Sequence, residues 1–405
     1  MCCYLYLARY NSNIMSVTIS EISTNSTHLS GNPIWVKCTS SGIPAGATDY
    51  KILLKVESPD DVLFGDPFTD AITPDSLVAW FNISGYVDQE IEKNIHWPVD
   101  SWITAYTSLA YDIWLYPGES YIDEDGELQE SFGSVVEPFF MVKGKLSDQK
   151  LAELNDAGSD WFDYFSTDGR FLTWQPATQT VGPYQPVKLW YKYPSASPAS
   201  RTLTYTGYFD DGSTQTITNT PTLSRASLYE FDLLPEEVGF TLDNGSKKLI
   251  KYTFTATGCE TRTFIIDWRT YDYNYYLFAD NQIGGVDCIW LKGRARHMAT
   301  ANRIIAGKPA DRGSGVQVPT LLVSGNTRQR KWVINTGIKS KEELNALDIL
   351  LDTPNAWLAT PPADGSTDLD DYTLTRVIII SSEIVLSDDT KTVESIDIEI
   401  IEAHE

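Results

Sequence analysis

Short runs of β-branched and aromatic residues, each closed within a few positions by Gly, Pro, Asn or Asp, constrain this chain more than any other feature. Residues 34–39 (IWVKCT) and 50–56 (YKILLKV) flank a loop that contains Gly42, Pro44 and Gly46. That pattern predicts antiparallel strands joined by irregular connections. Residues 102–116 and 138–142 continue the series, and in residues 110–116 (AYDIWLY) apolar side chains crowd both faces. Such crowding predicts a strand covered on both sides. Residues 15–145 are therefore expected to form an N-terminal β-sandwich domain.

The rhythm changes after residue 145. Leu146, Leu151, Leu154, Trp161, Phe162 and Phe165 recur at helical intervals, with Ser147 placed to cap and Gly158 as an interruption. Residues 146–185 thus predict a short helix and a linker, the latter rich in Gln, Thr and Pro. In residues 186–270, aromatic strands at 187–193 and 203–209 precede the turn Asp210-Asp211-Gly212, at a length and turn spacing suited to an immunoglobulin-like β module. Residues 271–405 predict a C-terminal β-sandwich with one flanking helix. Its helix starts at Ser340 with Glu343 three positions on, and Leu344, Leu347, Leu350 and Leu351 share a face. Ser324-Gly325-Asn326-Thr327 is the expected hairpin turn of this module, and residues 396–400 (IDIEI) alternate as a strand with one wet face. The expected fold class is mainly β, with tandem sandwich modules and an α+β flavour at the C-terminal end.

Charge is distributed unevenly along these modules. Residues 15–170 hold 26 Asp/Glu against 8 Lys/Arg, whereas residues 292–331 hold 9 Lys/Arg and one acid, Asp311. Copies of such a chain can stack head to tail, because each offers the charge its neighbour lacks. The net charge of −24 argues against general binding to nucleic acid or to anionic membranes, which requires cations to displace counterions.

No catalytic constellation stands out. The four histidines (His28, His96, His297, His404) show no metal-ligating spacing, and there is neither a GxSxG run nor a Walker loop. The acidic runs at 123–127 and 364–371 lie in Gly-containing, turn-like sequence, where carboxylates ordinarily face water. The first resembles part of a calcium loop. Placing Asp123 and Asp125 at its third and fifth positions, however, puts Tyr121 first and Phe132 last, where acids are required. Cys2, Cys3, Cys38, Cys259 and Cys288 form no CxxC pair, so buried reduced thiols are expected, with Cys288 beside Gly284-Gly285 the one candidate for reactivity. Neither a metal nor a cofactor is expected. Twelve tryptophans and 22 tyrosines allow a glycan-stacking platform, with Trp190, Tyr191 and Tyr193 (near Tyr184) or Tyr276 (near Tyr271, Tyr273 and Tyr275) as candidates, against the alternative of ordinary strand packing.

The run at residues 275–293 (YYLFADNQIGGVDCIWLKG) and the ending at 396–405, with its EAHE tail, resemble segments of structural proteins of Bacteroidetes phages and prophages. The likeness covers about the last 130 residues. It implies a non-enzymatic virion component of the tail or baseplate, built from β-sandwich modules and present in the host cytoplasm during assembly. The implied partners are further copies of the chain and other virion proteins. Arg294, Arg296, Arg303, Arg328, Arg330 and Lys331 would then form the assembly interface, meeting acidic loops of an adjacent subunit. A glycan- or receptor-binding adhesin module of a phage tail is the alternative, with a host surface glycan as partner. Nucleic-acid binding and membrane insertion are not expected.

Residues 1–14 have only a short apolar stretch and no small-residue cleavage site, which suits a signal peptide poorly. Met15 opens directly onto the first strand-like run, so residues 1–14 are expected to be a disordered tail or a gene-start artefact. Intact-mass measurement of natively expressed protein should then give a chain beginning at or next to Met15. A mass that includes Cys2 and Cys3 would refute the internal start.

Overall fold

The computed structural model describes residues 17–20, 27–58, 68–91, 101–156, 160–195, 197–272, 274–307, 321–362, 366–381 and 395–403. Residues 1–14 and Met15 lie outside them. Strands far outnumber helices among the described residues, so strand pairing sets the architecture, as the period-two sequence pattern requires. The expected breaks fell at 145, 185 and 270; contacts divide the chain into two compact units, 1–93 with 106–152, and 94–105 with 153–405.

The first unit contains a six-stranded sheet ordered Thr27–Leu29, Val136–Val142, Ala110–Ile122, Thr48–Glu57 and Phe68–Ile72, with Leu128–Phe132 paired separately to Ala110–Ile122. A second sheet is ordered Val17–Ile19, Trp35–Ser40, Val78–Asn82. Val36, Cys38 and Phe81 of the small sheet and Ile52, Leu54, Val56, Ile113 and Leu115 of the large one are fully buried. The strand Ala110–Ile122 differs from expectation. Ile113 and Leu115 are buried, whereas Asp112, Trp114 and Tyr116 on its other face are only half-buried. There the Lys55 ammonium sits over the Tyr116 ring at 4.3 Å, so a lysine stem provides cover that the crowded apolar residues suggested a second sheet would give.

Strands buried on both faces occur in the second unit instead. Its five-stranded sheet is ordered Thr178–Val181, Thr261–Ile266, Leu249–Ala256, Leu203–Phe209, Thr214–Asn219, and Lys188–Lys192, Leu228–Asp232 and Ile103–Tyr106 form a three-stranded one. Every residue of Lys188–Lys192 and of Leu228–Asp232 is buried. On one face, Leu189, Tyr191 and Phe231 join a core with Tyr205, Tyr252, Phe254 and Phe264. On the other, Trp190 Nε1 donates to the Val286 carbonyl at 3.0 Å, while the Lys188 ammonium pairs with Glu230 and lies 3.8 Å from Asp232. Removing one partner of such a buried pair costs about 3–5 kcal/mol, because the remaining charge is left uncompensated. Residues 186–270 and 271–405 therefore share an interior.

The third sheet of this unit is ordered Val286–Leu291, Tyr275–Asp280, Ala356–Thr360, Thr373–Ile379, Asp397–Glu402, Leu321–Asn335, Ala295–Gly307. Its first two strands are joined by a buried turn organised by Asn281. The Asn281 carboxamide oxygen accepts from the Ile283 and Gly285 amides at 3.2 and 2.9 Å, and its nitrogen donates to the Leu172 carbonyl at 2.6 Å. Trp174 Nε1 donates to the Asn281 carbonyl at 2.9 Å. At Gly285 a Cβ would lie 2.6 Å from Asn281 Nδ2 and 2.8 Å from the Trp190 ring, so only glycine fits. The helix over the sheet is capped as its sequence predicts. Ser340 accepts from the Glu343 amide and Glu343 reaches back to the Ser340 amide, opening Lys341–Asn345 and a 3₁₀ continuation Ala346–Leu351. Leu344, Leu347 and Leu350 are buried; Leu351 is 41% exposed.

Residues 324–327 are not a turn. They lie inside the continuous strand Leu321–Asn335, where Ile304 pairs with Gly325 and Ile305 with Val323, leaving Ser324 as a bulge. Ser-Gly followed by Asn is turn-like chemistry, and a β-bulge uses the same conformational freedom without reversing the chain.

Two buried carboxyls make stability pH-dependent. Burial pushes Asp287 up to about 6 against the pull of hydrogen bonds from Thr173 and Asn281 and of the Arg262 charge. Burial likewise pushes Asp232 up to about 6, although Lys188 pulls it down. A carboxyl raised in the folded state contributes stability that is complete below its ordinary pKa and is lost as pH rises through the folded value. Urea midpoints should therefore fall as pH rises from about 4 to about 6.5, and Asp287→Asn should flatten that slope. An unchanged slope in the variant would refute this role for Asp287.

Candidate assembly surface

The seven-stranded sheet ends in Ala295–Gly307, which pairs with Leu321–Asn335 through a long antiparallel register from Ala295↔Ile334 to Gly307↔Leu321. On the inner side of Leu321–Asn335, Asp397–Glu402 pairs with residues 331–335, and among the described residues no strand pairs there with residues 321–330. Among the described residues no strand pairs with the outer side of Ala295–Gly307. Arg296, His297, Met298, Ala299 and Ala301 are all exposed. An open edge of this length presents a row of unpaired backbone donors and acceptors.

This ribbon carries the cations singled out in the sequence. Arg294 and Arg296 are exposed. Arg330, also exposed, has its Nε 3.8 Å from a Glu402 carboxylate oxygen, and Lys331, half-buried, bonds Glu399. Both are exposed enough for solvent to screen them, so each pair is worth about 0.2–1 kcal/mol. Arg303 and Arg328 occupy register positions opposite Asn326 and Ala301 on the same ribbon. Their side chains lie outside the described residues. Lys292, by contrast, is 5% exposed and donates to Asp267 at 2.9 Å, so it belongs to the interior. Burial acts to raise the Asp267 carboxyl, but hydrogen bonds from Arg269, Tyr271 and Lys292 outweigh it and hold the group well below the usual carboxylate range.

Beside the ribbon lies an open groove of about 450 Å³ between His297, Arg330, Trp332, Thr360, Thr373 and Thr375. The His297 Nε2 and Tyr275 hydroxyl are 2.8 Å apart, and Trp332 is edge-on to the His297 ring at 6.5 Å. This combination of hydroxyls, one guanidinium and an aromatic wall suits polar contact.

The glycan platform proposed from sequence is not formed by the residues named for it. Trp190, Tyr191, Tyr193 and Tyr276 are 0, 4, 2 and 3% exposed. Trp190 closes over Gly285, and Tyr276 stacks on Tyr372 at 5.4 Å. Alternation suggests an outward face only for a strand with one wet side, and these strands have none. Tyr273 lies outside the described residues. Exposed indoles occur instead at Trp35 (53%) and Trp80 (43%), on neighbouring strands of the small sheet, with Lys37 over the Trp80 ring at 5.2 Å. Nothing in their sequence neighbourhoods distinguishes them, since each sits in an ordinary strand-like run.

The acidic run at 123–127 is the turn between Ala110–Ile122 and Leu128–Phe132. Asp123 Oδ1 accepts from the Asp125 and Glu127 amides at 3.0 and 2.9 Å, and Gly126 takes φ +80°. Its carboxylate oxygens are thus committed to shaping the chain. Of the second run, Asp368 accepts from the Asp370 amide at 3.1 Å and caps a single 3₁₀ turn. Among the described residues no group of three or more His, Cys, Asp or Glu side chains is placed to hold a metal, and no helix is long and apolar enough to cross a membrane. His404 lies outside the described residues. No protein-family model matches the chain, and no curated protein matches it.

Cys288, the one candidate for reactivity among thiols expected to be buried, is itself buried, and burial pushes its pKa well above the ordinary thiol range. Burial pushes Cys38 up to about 12 and raises Cys259 as well. A thiol reagent should therefore leave Cys38 and Cys288 unmodified in the folded protein and modify them in denaturant, as read by peptide mapping. Rapid native labelling of Cys288 would overturn its assignment as packing.

Proposed function

We propose that this protein is a non-enzymatic structural component of a phage or prophage virion, of the tail or baseplate, which assembles with itself or with other virion proteins. The observation that carries the reading is the long open edge Ala295–Gly307, flanked by Arg294, Arg296, Arg330 and Lys331, on a chain whose net charge is −24. A strand of this kind gives main-chain affinity to any partner strand, and the cations select an acidic one. The likeness of residues 275–293 to phage structural proteins supports the source. In the structure those residues are mostly buried and form two core strands and the Asn281 turn, which suits a segment retained for packing. The same burial removes the residues on which a glycan-binding reading rested.

Particles purified from the strain that carries the gene, washed at high salt and analysed by peptide mass spectrometry, should contain this chain at a fixed ratio to the other tail proteins. Particles that are complete by electron microscopy yet lack its peptides would refute the assignment.

A further inference from the structure

The first unit contains an open edge of opposite character. Leu128–Phe132 pairs only with Ala110–Ile122, and among the described residues its outer side has no partner strand. Leu128 is 70% exposed and Phe132 37%, while Glu130 projects between them. The adjoining turn adds exposed Glu124, Asp125 and Glu127, and residues 121–132 contain no cation. The basic edge is its counterpart, because residues 294–301 contain no acid.

We infer that the partner of the basic edge is the acidic edge of a second copy of this chain. Strand Ala295–Gly307 of one copy adds antiparallel to Leu128–Phe132 of the next. The inference rests on the assembling reading above and names its contact. With Glu130 opposite Arg296, antiparallel geometry sets Leu128 opposite Met298 and Phe132 opposite Arg294. This register gives one ion pair, one apolar pair and one cation over an aromatic ring, each a favourable cross-strand combination. Addition of the basic edge to its own copy would instead oppose arginines, and addition of the acidic edge to itself would oppose carboxylates. Two different surfaces are therefore used, so the contact is head to tail. It generates a ring where the rotation closes and a filament where it does not.

The test uses the full chain in sedimentation velocity and mass photometry at low and high salt. Wild type should self-associate at low salt and loosen as salt screens the pairs. Arg296→Glu and Glu130→Arg should each raise the dissociation midpoint about tenfold or more, and the double variant Arg296→Glu/Glu130→Arg should recover most of the loss. Both positions are exposed, and circular dichroism should show the fold unchanged. Wild type that is monomeric at every salt, single variants that associate like wild type, or a double variant that recovers nothing would each overturn the contact. The particle measurement above is independent of these outcomes, so the chain found in particles with Arg296→Glu indifferent would overturn the contact and leave the virion assignment standing.

Discussion

The second unit depends on closing the polar face of one strand. In Lys188–Lys192 the chain alternates Lys, Leu, Trp, Tyr and Lys, and both resulting faces are buried. The Leu–Tyr face needs only apolar company. The Lys–Trp–Lys face needs a carboxylate and carbonyl acceptors, and these come from Glu230, from the Val286 carbonyl and from the Arg225 carbonyl. Unpaired, a buried ammonium would be far costlier than the folding free energy of a domain can tolerate. Strand Val286–Leu291 is therefore required where it lies, and the Asn281 turn that delivers it admits only glycine at 285.

This closure also makes the two ends of the seven-stranded sheet unequal. At one end, Val286–Leu291 is an edge strand in pairing yet fully buried, because the Lys188–Lys192 layer covers it. At the other, Ala295–Gly307 has neither cover nor partner strand among the described residues. Proteins usually blunt such edges with charge, bulges or short length. Here the charge is present and the bulge at Ser324 lies in the inner strand, but the edge strand is 13 residues long. A long edge with one sign of charge discourages pairing with itself while remaining open to an acidic strand.

Local signals in the sequence were legible where the interaction they encode is itself local. The Ser340–Glu343 capping box spans four residues and needs nothing else. Asp210-Asp211-Gly212 likewise closes its hairpin, with Gly212 at φ +81° and Asp211 accepting from the Ser213 amide at 2.8 Å. Ser324-Gly325 misled because turns and bulges draw on the same residues, and the difference lies in the pairing of residues 302–305 across the ribbon. Trp190 and Tyr276 misled for a similar reason, since which face of a strand is wet depends on the layer that packs against it.

The sequence by itself determined that the chain is mainly β, where its strands alternate, how its helix starts, and that its acids and cations are segregated. These follow from side-chain period, backbone freedom and charge, which each residue carries wherever it is placed. Only the tertiary structure decided which strands are covered on both sides, that Lys292 and Cys288 are interior, and that Arg294, Arg296, Arg330 and Lys331 border an open edge. Those outcomes depend on which strands become neighbours, and the neighbours are set by contacts such as Trp190 with Val286, between residues nearly a hundred positions apart.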